Sequence, residues 1–504
     1  MKLSTLSTAL TGLVIAAGAQ LAGAQISFNP ATNVAVGPQP DATAIADFNG
    51  DGLLDLAVAN DAPDKVSFLF NQGNGTFGAP VHVQVGGGTS PHTPVAADFD
   101  GDGDVDVAVS LKNVNSVRIL VNQGGGNFTA GPSFSVGSEP RSMVAADFDN
   151  DGRPDIAVSN RSSDNVSVLR NLGGLSFSVA TFAAGQEPRE LDAGDMTGDG
   201  LPDIAVAAHD SRQIIVLRSL GNGSFVQHAV LNMSSVRPEG VTVADLNGDG
   251  ARDIAASVGD PQLAAVWLNT GGGSFGGASF YSLNGQDSSS IVAADFDLDG
   301  DMDLATSNTD SNNVSVLANQ GNGTFGGAQL LAVGSQPGHI ATGDLDQNGS
   351  PDLVTANDGS GNVSVLLNQN SGGSSCATLI YCQGKVNSAG GVAQIGFSGT
   401  PSVSAGNFSV NVSGALPGKP SIAFFGTNGP ANQPFLGGTL CVTGPLTRLP
   451  VQFLSATGTA SYFISVTPAM AGTTRWYQFW HRDPAHPDGT GSSLSNALEV
   501  RFCD

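Results

Sequence analysis

Short apolar runs, set between polar turns rich in glycine, asparagine and serine, recur along most of this 504-residue chain. The third copy shows the unit. Met143-Val144-Ala145-Ala146 enters an aspartate-rich loop, Ile156-Ala157-Val158 leaves it, and Asn165-Val166-Ser167-Val168-Leu169 follows. A polar turn then leads to Phe177 and another extended run. Apolar positions that alternate or run on over so short a span fit strands with one or two buried faces. The pattern predicts four short strands per unit.

The loop itself is the nine-residue pattern D-x-[DNT]-x-[DN]-G-x-x-D. It begins at Asp47, Asp98, Asp147, Asp195, Asp245, Asp295 and Asp344, with starts 51, 49, 48, 50, 50 and 49 residues apart. Four strands in a repeat of that length predict a β-propeller, since the coils of a β-helix are much shorter. The last repeat stops at Leu366-Leu367-Asn368-Gln369-Asn370, without the Gly-Thr-Phe turn and fourth strand seen after Gly75 and Gly323. Residues 26–36 resemble those missing segments and are expected to supply the outer strand of the seventh blade. The expected fold is therefore all-β: a seven-bladed propeller over 25–370, closed by an N-terminal strand, then a linker over 371–375 and a disulfide-bonded, sandwich-like β domain over 376–504.

The aspartate pattern, together with N-G-[TS]-F-G and a following Gly/Ala-Pro, resembles the FG-GAP, or VCBS, repeat of integrin-α-like propellers. The resemblance covers about residues 26–370 and implies a partner-binding surface on the face opposite the aspartate hairpins.

Oxygen ligands at positions 1, 3, 5 and 9, a backbone carbonyl at 7 and a turn-permitting glycine at 6 suit a hard cation such as Ca²⁺. The expected ligands are Asp47, Asn49, Asp51 and Asp55; Asp98, Asp100, Asp102 and Asp106; Asp147, Asp149, Asp151 and Asp155; Asp195, Thr197, Asp199 and Asp203; Asp245, Asn247, Asp249 and Asp253; Asp295, Asp297, Asp299 and Asp303; and Asp344, Asp346, Asn348 and Asp352. No EF-hand glutamate stands at position 12, and repetition in every blade marks the ions as architectural. Thr197, the Asn247–Arg252 combination and Asn348 predict weaker sites in loops four, five and seven than in two and six.

Composition sharpens this picture. The 19 basic residues against 44 acidic ones give a formal charge of −25, and 26 of the 44 acids lie in the seven loops. Seven Ca²⁺ would bring the charge to −11. So acidic a chain, without a basic run, is a poor partner for nucleic acid or an anionic membrane. Lys2, an apolar stretch around Leu10–Leu21 and Ala22-Gly23-Ala24 form a signal peptide pattern over 1–24, with cleavage expected before Gln25 and a secreted or cell-surface product. No later apolar stretch is long enough to span a membrane.

The variable loops opposite the aspartate hairpins are the candidate ligand face. They bring Asp41, His92, Arg141, Arg189, Glu190, Glu239 and His339 toward the central channel, and Lys112, Arg161, His209, Asp210 and Arg212 further out. An extracellular protein or polysaccharide is the expected partner. Neither H-E-x-x-H nor G-x-S-x-G occurs, so no catalytic motif is recognisable. A lyase-like enzyme acting on polysaccharides is the alternative, with His92, Arg189, His209 and His339 as its candidate residues.

Beyond the linker the aspartate repeat stops and all four cysteines appear: Cys376, Cys382, Cys441 and Cys503. In an exported chain they read as two disulfides, with three possible connectivities. Val403–Val412, Ser421–Phe425 and Tyr462–Val466 read as strands. Segments such as Leu379–Cys382 and Gly437–Val442 resemble a C-terminal module of secreted bacterial proteins, which implies a location and no activity. The alternating aromatics of Trp476-Tyr477-Gln478-Phe479-Trp480 are expected to face a sandwich core.

Overall fold

The computed structural model describes residues 26–370 and, beyond them, strands between 378 and 501 with a few residues beside them. The expected signal peptide, the linker, Cys376, Cys382 and Cys503 lie outside the described residues, as does the side chain of Cys441. The chain divides into two compact units between Asn370 and Ser371.

Residues 26–370 form seven four-stranded antiparallel sheets, the blades of a propeller. In the first blade the strands are Pro40–Ala46, Asp55–Asn60, Lys65–Leu69 and Val81–Gln84, from the axis outward. Every residue of the second strand is buried in all seven blades. Both of its faces lie against neighbouring blades, so its apolar run is continuous. Thus Ala57, Val66 and Phe68 of blade one share a core with Val107, Val109 and Leu120 of blade two.

The ring closes as the sequence implies. Thr32–Ala35 pairs antiparallel with Asn362–Leu366, and Asn29 donates its N–H to the Leu367 carbonyl at 2.8 Å. Phe28 bridges Asn368 just as Phe77 bridges Asn71 and Phe325 bridges Asn319. The N-terminal segment therefore occupies the place of the missing Gly-Thr-Phe turn, and an edge otherwise open to pairing is covered.

Two rings of contacts, neither evident from the loop pattern alone, lock blade to blade. The residue at position 2 of each loop (Phe48, Phe99, Phe148, Met196, Leu246, Phe296 or Leu345) is almost fully buried. Against it packs the aromatic that opens the next blade's outer strand. Phe128 meets Phe48 at 5.8 Å, Phe225 meets Phe148 at 5.3 Å, and Phe28 meets Phe296 at 5.8 Å, all edge-on.

The second ring is polar. The position-9 aspartate, fully buried in every blade, accepts one backbone N–H from position 2 and another from the end of the third strand. For Asp55 these donors are Phe48 at 3.0 Å and Asn71 at 2.7 Å. That strand-end residue then reaches into the preceding blade. Asn122 donates its Nδ2 to the Phe48 carbonyl and Asn171 to that of Phe99. Asn269, Asn319 and Asn368 repeat the bond around the ring, and Asn71 closes it on Leu345. Blade four uses the hydroxyl of Ser219 on Phe148 instead.

The described strands of the second unit make a sheet of Thr378–Tyr381, Ser492–Arg501, Thr474–Arg482, Pro420–Gly426 and Thr447–Arg448, with Gln452–Phe453 also on Pro420–Gly426. Gln394–Ser398, Ser409–Ser413 and Ala460–Phe463 make another. Ala423, Phe425 and Tyr477 from the first share a core with Ile395, Val410, Val412 and Tyr462 from the second. Of the aromatic run, Tyr477 is buried there as expected.

Replacing Asn171 by Ala removes its bonds to the carbonyls of Phe99 and Pro154 and leaves two buried acceptors short of a donor. Urea denaturation should show a loss of about 1–3 kcal/mol for Asn171→Ala. A change within error would mean that the polar ring does not stabilise the propeller.

Candidate functional site

The first strand of each blade starts with a β-bulge. The register slips between Pro40 and Ala42 in blade one, between Pro140 and Met143 in blade three, and at the matching place in the other five. Bulges re-aim side chains. Here they turn the residues after the leading proline, or serine in blade six, into the axial mouth. Serine hydroxyls of the second strand fix the bulges: Ser159 accepts the N–H of Ser142 and donates to the Arg189 carbonyl of the next blade. Ser110, Ser257 and Ser307 do the same in their blades.

The mouth holds an open cavity of about 220 Å³ lined by Asp41, His92, Arg141, Arg189, Glu190, Glu239 and His339. All seven are the channel residues that the sequence puts forward. Thr93, Ser142, Ser289 and Ser290 also line it and were not foreseen, because only the bulge reveals which residue after the proline faces the axis. Of the residues expected further out, His209 lies within ion-pair distance of the lining residue Glu239, and Arg161 reaches the lining through Glu187, which it shares with Arg189. Arg212 is exposed, in a left-handed turn at φ 57°, away from the cavity.

Charges on one side of the mouth are mutually satisfied. Arg161 bridges Glu139 at 3.1 Å and Glu187 at 2.6 Å. Arg189 pairs with Glu187 at 3.0 Å and also with Glu239, whose other oxygen lies 3.1 Å from His209. Burial alone would raise the Glu187 carboxyl, but the bonds from Arg161 and Arg189 outweigh it and hold the pKa at about 2.

The other side is different. Arg141 makes no ion pair or side-chain hydrogen bond among the described residues, and its Nε is buried without a partner. Burial, with Arg161 and Arg189 nearby, pulls its pKa below the ordinary arginine value. His339 Nδ1 is likewise buried and unpartnered, and burial lowers that imidazole to about 4. Burial, then repulsion from Asp61 and Asp358, pushes Asp41 up to about 7. Burial also raises Glu190 to about 8, although it accepts bonds from the Ser290 hydroxyl at 2.6 Å and the Val241 N–H at 3.1 Å.

At the aspartate hairpins, three carboxylates lie with ligand oxygens within 4.8 Å of one another in four loops. They come from positions 1, 3 and 9 in Asp98/Asp100/Asp106, Asp147/Asp149/Asp155 and Asp344/Asp346/Asp352, and from positions 1, 3 and 5 in Asp295/Asp297/Asp299. Asp297 Oδ1 is buried without a donor, and burial, then Asp299 and Asp295, raises its pKa to about 6. That donor set fits a hard cation. In loop three guanidinium groups already meet the carboxylates, Arg170 at Asp149 and Arg153 at Asp151. Arg218 meets Asp199 in loop four. In loops one and five the amide at position 3 donates to the position-5 aspartate, at 3.1 and 3.0 Å.

The depressed Glu187 carboxyl makes a signed prediction. Its stabilising contribution is complete above the ordinary value of 4.5 and fades as pH falls toward 2. Denaturation of Glu187→Gln beside the wild type should show a deficit of about 2 kcal/mol at neutral pH. That deficit should shrink between pH 4.5 and 2.

The FG-GAP-like repeat model matches residues 47–109, 108–158, 147–206, 195–256 and 300–355. Similar solved structures include a streptogramin B lyase, 13% identical over 68% of this chain and 98% of its own, with a TM-score of 0.49. Virginiamycin B lyase from Staphylococcus aureus is 10% identical over 68% and 99%, with a TM-score of 0.46. An Agrocybe aegerita lectin described as recognising non-reducing terminal N-acetylglucosamine is 21% identical over 66% and 96%, with a TM-score of 0.43. No curated protein matches the chain. With the repeat matched over more than half of its length and seven blades built on that one plan, the chain belongs to the FG-GAP-like repeat family.

Proposed function

We propose that this chain is an exported, calcium-loaded propeller that recognises an extracellular protein or polysaccharide at its axial mouth without turning it over. The observation that carries this reading is the cavity itself: polar side chains from all seven blades converge on one open pocket, aimed there by bulges. Export rests on the sequence of residues 1–24. The C-terminal unit would serve surface association or a second contact. Among the described residues no helix is long and apolar enough to cross a membrane.

Calcium belongs to this reading as a scaffold element. The carboxylates of loops two, six and seven would hold the ion, and it would neutralise charge that burial otherwise makes costly. In loops three and four arginines supply part of that neutralisation, so these loops should depend least on the ion.

The polysaccharide-lyase alternative draws on one observation. A carboxyl raised to about 8 and an imidazole lowered to about 4 line the same cavity, and such separated values suit proton transfer.

Incubation with polysaccharides and matrix proteins in calcium, recording both retention and released product, separates the two. Retention without product is expected; product lost in Glu190→Gln or His339→Asn would establish the enzyme instead. Chelation should lower the melting temperature, with each site contributing about 2.7 kcal/mol at calcium a hundredfold above its Kd. An unchanged melting temperature would overturn the calcium assignment.

A further inference from the structure

We propose that the axial pocket binds a carboxylate-bearing sugar, a uronate-type residue of an acidic polysaccharide, with the Arg141 guanidinium gripping the carboxylate. The inference rests on the axial mouth being the ligand site and names what enters it.

Three arginines lie at or beside this mouth, and two are neutralised by glutamates: Arg161 by Glu139 and Glu187, Arg189 by Glu187 and Glu239. Arg141 has no carboxylate within ion-pair distance, its Nε is buried without an acceptor, and it lines the cavity. A partly buried guanidinium whose Nε has no acceptor is costly unless something else supplies one. Its planar fork matches two coplanar oxygens of one negative charge, which is a carboxylate. A phosphate monoester would bring close to two charges, and no second unpaired cation lines the pocket to meet them.

The remaining wall suits a sugar ring better than a peptide. Ser289, Ser290, Asp41, Glu190 and His339 offer hydroxyl, carboxyl and imidazole groups around the same cavity, and a polyhydroxylated ring can give and accept bonds with each. Recognition of a peptide as a strand, helix or polyproline segment depends on side-chain pockets or apolar anchors, and Ala42 is the largest aliphatic side chain in the lining. The volume of about 220 Å³ lies below the roughly 300–1,000 Å³ of drug-sized sites and suits one ring-sized group. Asp41 and Glu190 do not defeat the anion: burial raises them to about 7 and about 8, so near neutral pH Glu190 is largely protonated, Asp41 about half so, and a protonated carboxyl presents an O–H group.

The test is calorimetric titration of the full chain, in fixed free calcium, with trimers of galacturonate, glucuronate and mannuronate, each beside its methyl ester. At least one acid should bind about tenfold or more tightly than its ester, and Arg141→Gln should reduce the acid to the level of the ester. Arg141→Lys, which keeps the charge and loses the fork, should fall between; the ester comparison on the wild type needs no variant. Equal binding of acid and ester, an unaffected Arg141→Gln, or retention of sulfated sugars or acidic peptides with no uronate bound would each overturn the proposal. A neutral glycan or a protein held at the mouth, lost in His339→Asn, would sink it while leaving axial recognition standing. No ligand lost on any mouth substitution would sink both.

Discussion

The aspartate at the ninth position of each loop is the fixed point of this propeller. Its carboxyl is completely buried, and two backbone N–H groups offset part of that burial: one at the entrance to the loop, one at the end of the third strand. That pair of bonds sets the distance between the hairpin and the third strand. The strand-end side chain is thereby placed to reach the carbonyl of the preceding blade, and the aromatic a few residues later to cover the preceding loop. Folding within a blade and association between blades thus share one anchor, repeated seven times and closed by Asn71 on Leu345.

The ring determines the site. Once the second strands are buried on both faces, their serines have only backbone to bond, and they hold the bulges of two adjacent inner strands at once. A bulge puts two residues opposite one, so a polar side chain is directed at the axis in place of the next apolar one. The chemistry of the mouth is then set by residues that the fold does not need, and each blade can contribute a different group: a carboxylate, an imidazole, a guanidinium, a hydroxyl.

Much of this was legible in the sequence, for a physical reason. Carboxylates and glycines at fixed spacing are demanded by the loop, and short apolar runs by the blade interface, so the repeat, the seven blades and the N-terminal closure can be read directly. The channel residues were also legible, since each follows the start of an inner strand. What was not legible depends on contacts between blades. Asn171 stands 16 residues after Asp155 just as Asn122 does after Asp106, but only packing shows that the side chain leaves its own blade. Arg141, Arg161 and Arg189 look alike in sequence, and which of them lacks a partner is decided by glutamates on neighbouring loops. Arg170, which meets Asp149 from 21 residues away, gave no sign of entering an aspartate loop. The position-9 aspartate reads as an ion ligand by its spacing; that its two oxygens also accept backbone N–H groups shows only in the fold.

The most direct test of this account is native-state hydrogen exchange of the seven position-2 amides, from Phe48 to Leu345, whose N–H groups are held by the buried aspartates. If these aspartates anchor one closed ring, all seven amides should exchange only through global unfolding, with similar protection in every blade. Rapid exchange in some blades while the others stay protected would show that the blades open independently, and the ring would not be the constraint on which the axial site depends.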